Sequence, residues 1–333
     1  MIISLWNKNE STSIMEYIVV IRTLGTAGDK YQQLLDSLNK QTIQPSKILV
    51  YIAEGYSIPK ETIGKEQYIY VKKGMVAQRA LPYDEVDTEY ILFLDDDLSF
   101  PENTVERMME LLQQEHADVI SPDIFPNSSR SLPAEIMMRV SGRMCARRND
   151  DYWGYKVMRN SGYSYNASPI KEIYQSQTNA GACFLCSKEN FLKIHFEEEL
   201  WLDKIEYALG DDQVMYYKMY LMGLKILTWY KHGFVHLDGG ENMHPEKKKK
   251  VIYADFHFKT IFWHRFIYLP ETSKVKRLWS IFCIGYTFLF SLIVSLLKAR
   301  WDIAGIKYKA IFDGIKFVKS SVYHTLSIVS KIQ

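Results

Sequence analysis

Between residues 17 and 121 the chain switches repeatedly between two hydrophobic periods, and that alternation leaves few folds open. Tyr17 to Ile21 (YIVVI) reads as a strand, and Tyr31 to Leu38 (YQQLLDSL) as a helix with Leu34, Leu35 and Leu38 on one face. Ile48 to Ile52 (ILVYI) is a strand again, which completes a βαβ unit. Residues 74 to 86 read as a helix interrupted at Pro82, Tyr90 to Leu94 as a strand, Glu102 to Gln114 as a helix and Asp118 to Ile120 as a short strand. The repetition predicts an α/β fold with a mostly parallel central sheet flanked by helices. Ligands of such sheets bind beyond the carboxyl ends of the strands, and Arg22, Thr23, Glu54 and Asp95 each follow directly on an apolar run.

One of those runs ends in an unusual way. In YILFLDDDLSFP the carboxylates Asp95, Asp96 and Asp97 are consecutive at the lip of an apolar sheet, where water screens their repulsion poorly. A divalent cation relieves that crowding, and hard oxygen ligands suit magnesium or manganese; in a strand-like segment Asp95 and Asp97 point to the same side. The competing reading is a solvated loop with an Asp helix cap, because Pro101, Glu102 and the pattern Val105, Met108, Met109, Leu112 announce a helix.

The remaining chain adds a less regular half and an apolar end. Its 333 residues, 47% hydrophobic, can bury a proper core, and a formal charge of +2 gives no reason to expect nucleic acid as a partner. Cys145, Cys183, Cys186 and Cys283 do not suggest a disulfide framework; Cys183 and Cys186 form a CxxC inside an apolar run, with no second pair to complete a zinc site. The N-terminal residues 1–16 lack the pattern of a signal peptide, so the following domain is expected in the cytosol. Ser121 to Thr178 is irregular and rich in Tyr, Asn, Ser and Arg, a character of functional or mobile insertions. Ala182 to Leu185 then reads as a strand, Asp212 to Met222 as a helix stopped by Gly223, and Lys225 to Trp229 as a strand.

Residues 278–297 run 20 positions without a charge, enough to cross a bilayer. Residues 298–333 carry a net charge of +5 and an apolar stripe, Ala304, Tyr308, Ile311, Ile315, Val318 and Val322, as a membrane-surface helix does. A single crossing would place this basic tail on the far side from the α/β domain, against the positive-inside tendency, so a re-entrant or in-plane segment competes with it, as does a buried helix.

The order of these features resembles the family 2 glycosyltransferases, inverting enzymes with the GT-A fold, over roughly residues 17–240. The first strand ends in IRT and the second at Glu54, where the family usually sets an acidic residue against the nucleoside. GMVAQRA, Gly74 to Ala80, resembles the family's Gly-x-x-x-Ala-Arg-Asn segment with Arg79 at the Arg position, and the DXD motif falls on Asp95 and Asp97. GDDQVMYYKMYLMGLKI resembles Glu-Asp-x-x-Leu-x-x-Arg-x-x-x-x-Gly, with Asp211 for Glu, Asp212 for the catalytic Asp, Lys218 for Arg and Gly223 for Gly.

The resemblance implies a catalytic domain at 17–245, divided into a nucleotide-binding half (17–121) and an acceptor-binding half (122–245), followed by a membrane-associated helical region at 246–333. It implies Asp212 as base with Asp211 second, and donor contacts from Arg22, Thr23, Glu54, Arg79, Asp95 and Asp96. A Mn2+ or Mg2+ ion would be held by Asp95 and Asp97, with His236 in GFVHLDGG as a further ligand; Asp96 is open between the ion, the ribose and solvent. Asp211 and Asp212 also fit as ordinary first-turn helix carboxylates. The expected partners are a nucleotide-sugar donor, a UDP-sugar first among them, a glycan or lipid-linked acceptor, and the cytosolic face of a membrane, the bacterial inner membrane being the expected one. The alternatives are a sugar nucleotidyltransferase, which does not require the second acidic pair 115 residues beyond Asp97, and a non-catalytic membrane-anchored binding module.

Overall fold

A computed structural model describes residues 16–124, 131–144, 153–166, 171–230, 232–238 and 244–329. Strand β1 (Tyr17–Thr23), helix α1 (Asp29–Asn39) and strand β2 (Lys47–Ala53) form the expected βαβ unit, followed by β3 (Glu66–Val71), β4 (Tyr90–Asp95), β5 (Leu98–Ser99), α2 (Thr104–Gln114) and β6 (Val119–Pro122). Next come α3 (Leu132–Val140), β7 (Tyr155–Val157), β8 (Ser164–Asn166), β9 (Ile173–Ser176), β10 (Cys183–Ser187) and α4 (Lys188–Lys193). Two 3-10 segments, Phe196–Lys204 and Glu206–Ala208, lead into α5 (Asp211–Leu221), β11 (Ile226–Trp229) and β12 (Val235–His236). The chain closes with α6 (Pro245–Trp263), a π turn at His264–Tyr268, α7 (Lys274–Leu297), α8 (Trp301–Val318) and α9 (Ser321–His324).

Eight strands form the main sheet in the order β3-β2-β1-β4-β10-β6-β11-β9. The pairs β3-β2, β2-β1, β1-β4 and β6-β11 are parallel, whereas β10 runs antiparallel between β4 and β6, and β9 antiparallel to β11. The two-residue period divides each strand between two cores. Ile18, Val20, Ile91 and Phe93 face one side, where α5 and α6 cover them; Val19, Ile21, Leu92 and Leu94 face the other, against α1 and α2. Cys183 and Cys186, three apart, therefore lie on opposite faces as buried free thiols, and cannot share a ligand.

The structure corrects several expectations. Residues 74–86 form turns, with a single helical turn closed by Gln78 N–H to Gly74 O and Ala80 N–H to Val76 O; Gly74 and Pro82 at either end leave no room to propagate it. The irregular stretch contains α3 and the short strands β7 (YKV), β8 (SYN) and β9 (IYQS), too short to announce themselves; residues 125–130, 145–152 and 167–170 within it lie outside the described residues. The predicted C-terminal stripe is split, for Ala304 and Val318 are buried while Tyr308, Ile315 and Val322 are exposed.

Helix α6 packs onto the α/β fold: the Phe258 ring closes over Gly210, and the Phe262 ring packs at a tilt against Tyr217 of α5. Helix α7 is long and apolar enough to cross a membrane. It lies with its hydroxyl-rich face, Ser280, Thr287, Ser291 and Ser295, buried. Tyr286 donates to the Val140 carbonyl at 2.6 Å, and Lys307 of α8 reaches Ser291 and Ser295.

Candidate active site

The parallel register sets Arg22 beside Asp95 at the ends of β1 and β4, and the side chains form a fork, Nε to Oδ1 at 2.5 Å and Nη2 to Oδ2 at 3.0 Å. Burial alone would raise the Asp95 carboxyl, but Arg22, with Arg79 behind it, outweighs burial and holds it below the usual carboxylate range. Thr23 donates to Asp96 Oδ2 at 2.5 Å and accepts the Gly25 N–H at 2.7 Å. Burial, followed by the charges of Asp95 and Asp97, pushes Asp96 up to about 6 against the Thr23 bond. Asp97 turns away to His236 of β12, its Oδ2 3.0 Å from Nε2, and this hydrogen bond raises the imidazole despite burial.

A cavity of about 510 Å³ opens over these strand ends. Of the residues expected to serve donor and metal, Arg22, Thr23, Asp95, Asp96 and Asp97 line it, as do Lys30, Lys73 and Gln78. Glu54 lies just past β2, exposed and off the cavity wall. Arg79 is turned inward, only 3% exposed, and braces two acidic groups: Nη1 lies 2.8 Å from Asp212 Oδ1 and 3.6 Å from Asp211 Oδ2, and Nη2 lies 3.8 Å from Asp95. Nη2 also donates to the Gly181 carbonyl at 2.8 Å.

Asp211 and Asp212 open α5, where the helix N-terminus favours negative charge. Asp211 is buried, and burial followed by repulsion from Asp212 pushes it up to about 7, against the pull of Arg79 and Arg22. Its Oδ2 accepts no hydrogen bond although both guanidiniums stand 3.6 Å away. The Asp212 side chain is 34% exposed and has only Oδ1 engaged by Arg79, so it is the one able to meet a substrate. Neither carboxylate lines this cavity; Arg22, on its wall, stands 3.6 Å from Asp211.

Two positions escaped sequence reasoning. Asp203, in the first 3-10 segment, accepts the N–H groups of Val76 and Ala77 at 2.9 and 3.0 Å and so holds the 74–80 turn against the cavity. Gly181 lies so close to the acidic pair that a Cβ there would sit 2.0 Å from Asp212 Oδ1 and 2.8 Å from Arg79 Nη1. Both roles arise from contacts more than 25 residues away in sequence, which no local pattern announces.

Among the described residues no group of three or more His, Cys, Asp or Glu converges as a metal cage. Asp95, expected as a ligand, pairs with Arg22. The Asp97 and His236 atoms, 3.0 Å apart, nevertheless suit adjacent ligands of an octahedral ion with bonds of about 2.1 Å, which takes few protein ligands and completes its shell from substrate phosphates and water.

Residues 64–191 match the model of the glycosyl transferase family 2, a span that holds Arg79, the Asp95 to Asp97 triplet and Gly181. No match is found among curated proteins. The sheet with its strand-end acidic cluster and the family match agree: residues 64–191 are similar to the family 2 glycosyltransferases, and the protein is a glycosyltransferase whose mixed α/β fold is consistent with GT-A.

Proposed function

We propose that the protein transfers a sugar, with inversion, from a nucleoside diphosphate donor, a UDP-sugar first among candidates, to a hydroxyl of a glycan or lipid-linked acceptor at a membrane surface. The observation that carries this reading is the joining of the strand-end triplet to the α5 carboxylates through Arg22 and Arg79. Donor diphosphate in the cavity would meet Arg22, Lys30 and Lys73 at its wall. Bound at Asp97 and His236, a Mg2+ or Mn2+ ion supplies charge neutralisation to the leaving diphosphate. Asp212 takes the proton of the acceptor hydroxyl as its oxygen bonds to the anomeric carbon, and the carbon–oxygen bond to the diphosphate breaks on the opposite face. Asp211, buried behind it, is the second candidate for the base.

Membrane attachment is supported by surface chemistry. Helix α7 exposes Leu278, Trp279, Phe282, Tyr286, Leu289 and Ile293 along one face, and α3, joined to it through Tyr286, exposes Leu132, Ile136, Met137 and Val140. Lys274, Lys276 and Arg277 precede the apolar face and Lys298 and Arg300 follow it, which fits an anionic lipid surface on the cytosolic side.

Thermal shift of the purified chain with a panel of nucleoside diphosphates and nucleotide sugars, with and without manganese, tests the donor site. A manganese-dependent rise for one nucleotide is expected; no such rise with any of them would overturn it.

A further inference from the structure

A second cavity, of about 520 Å³, lies between α6, α7 and α8 and has no part in the donor site. Four cations line it, Arg143, Lys298, Arg300 and Lys307, against one carboxylate, Asp255. None of the four has an ion-pair partner among the described residues. Lys307 donates to the neutral oxygens of Ser291 and Ser295, and Arg143 lies over the Tyr163 ring with Nη2 3.3 Å from Ser291 Oγ, while its buried Nε has no acceptor among the described residues. Burial and these neighbouring cations, Arg143 foremost, push the Lys307 ammonium down to about 8. Such crowding of like charge costs stability unless an anion joins it.

The rest of the wall is apolar, with Leu209, Val251, Ile252, Phe256, Val294 and Ile303. Its location is informative in two directions. Ala208 lines the donor cavity and Leu209 the second one, so a single stretch of backbone separates them and runs directly into Asp211 and Asp212. That partition holds left-handed backbone at two successive non-glycine residues, Tyr207 and Ala208, with φ of 64° and 44°. On its other side the cavity is walled by α7, whose outer face is the exposed apolar one.

We infer that this cavity is a phosphoester site for an amphiphile: Arg143, Lys298, Arg300 and Lys307 hold a phosphate or diphosphate, and the apolar wall takes the first carbons of its chain. Its role as the anchor of a lipid-linked acceptor, presenting a hydroxyl across the 208–209 partition to Asp212, rests on the transfer reading above; the binding site itself does not.

The test is equilibrium binding of decyl diphosphate, decyl phosphate, decanol and inorganic diphosphate to the full chain in non-ionic detergent. The Lys298→Gln/Arg300→Gln double variant, whose changes are at exposed side chains, is compared alongside Lys307→Met. Decyl diphosphate is expected to bind at least tenfold more tightly than decanol or inorganic diphosphate, and the double variant to lose at least tenfold while keeping its thermal shift with nucleotide. Decanol binding as tightly, or undiminished affinity in the double variant, would overturn the site. Inorganic diphosphate binding as tightly as the decyl ester would overturn the amphiphile in favour of a free anion. A wild-type chain that binds decyl diphosphate but shows no nucleotide response would sink the transfer reading and leave this site standing.

Discussion

Asp211 and Asp212 are neighbours in sequence with opposite surroundings, and their environments separate their roles. Asp212 keeps an exposed flank and one engaged oxygen, so Asp212→Asn should preserve nucleotide binding while lowering transfer by about 10²–10⁴, the usual contribution of a positioned base. A single-turnover assay beside a binding isotherm checks both halves, and unimpaired transfer would remove Asp212 as the base. Asp211 carries a pH signature. Its folded-state value, raised to about 7, exceeds the unfolded one, so its contribution to stability is full below the unfolded pKa and is lost as pH rises towards 7. Asp211→Asn should therefore gain thermal stability relative to wild type between pH 4 and 7, with a constant difference above that. Melting temperatures of both proteins across pH 4–8 measure it, and a pH-independent difference would show that Asp211 ionises normally. The cavity-lining Arg22 and Asp95 were legible because each follows directly on an unbroken apolar run. Gly181 and Asp203 were not, because their roles exist only once distant segments approach.

At the scale of elements, the strongest joint is also the least visible in the sequence. Glu199, fully buried in the first 3-10 segment, receives Arg265 through two bonds of 3.0 and 2.7 Å, Lys218 of α5 at 3.0 Å and the Trp201 indole at 2.6 Å. Arg265 continues to the Ser327 carbonyl at 2.8 Å, so one carboxylate ties α5, the π turn and the chain's end to the catalytic fold. Lys218 stands where the family pattern has Arg, and the structure gives that position a bracing role. Glu199→Gln leaves the buried Arg265 without a paired carboxylate and Lys218 with Glu198 alone, and should cost about 3–5 kcal/mol. Urea unfolding measures this; a loss under about 1 kcal/mol, the range of exposed pairs, would mean that the triad is hydrated. The βαβ unit and β4 were legible because their strands are unbroken apolar runs and α1 carries one apolar face, and α5 because Gly223 stops it before the next apolar run. Strands β7 to β9 were not, since three or four residues of mixed polarity, YKV, SYN and IYQS, are too short to show a pattern, and EQYIYV of β3 is an edge strand half open to water.

For the whole molecule the proposed membrane attachment leaves a choice, whether α7 crosses the bilayer or lies along it. Length and hydropathy permit crossing, but packing argues against it. Lipid would then surround Ser280, Thr287, Ser291 and Ser295, which the fold buries, and Lys307 and Arg143 would lose the hydroxyls they now reach. The contacts to Val140 and Arg143 come from the catalytic half, and they touch α7 near its middle, which a perpendicular helix could not offer to a domain in water. Lying flat, α7 and α3 present their apolar faces to the acyl boundary, with basic residues at both ends of α7 near the headgroups. This arrangement also keeps the basic tail on the same side as the active site. Cysteines introduced at the exposed Lys274 and Lys298, at the two ends of α7, with Cys145 and Cys283 replaced by Ser, should both react with an impermeant maleimide added to sealed vesicles carrying the protein outside. Reaction at Lys274→Cys with protection at Lys298→Cys would instead place the two ends of α7 on opposite sides, and the helix across the membrane.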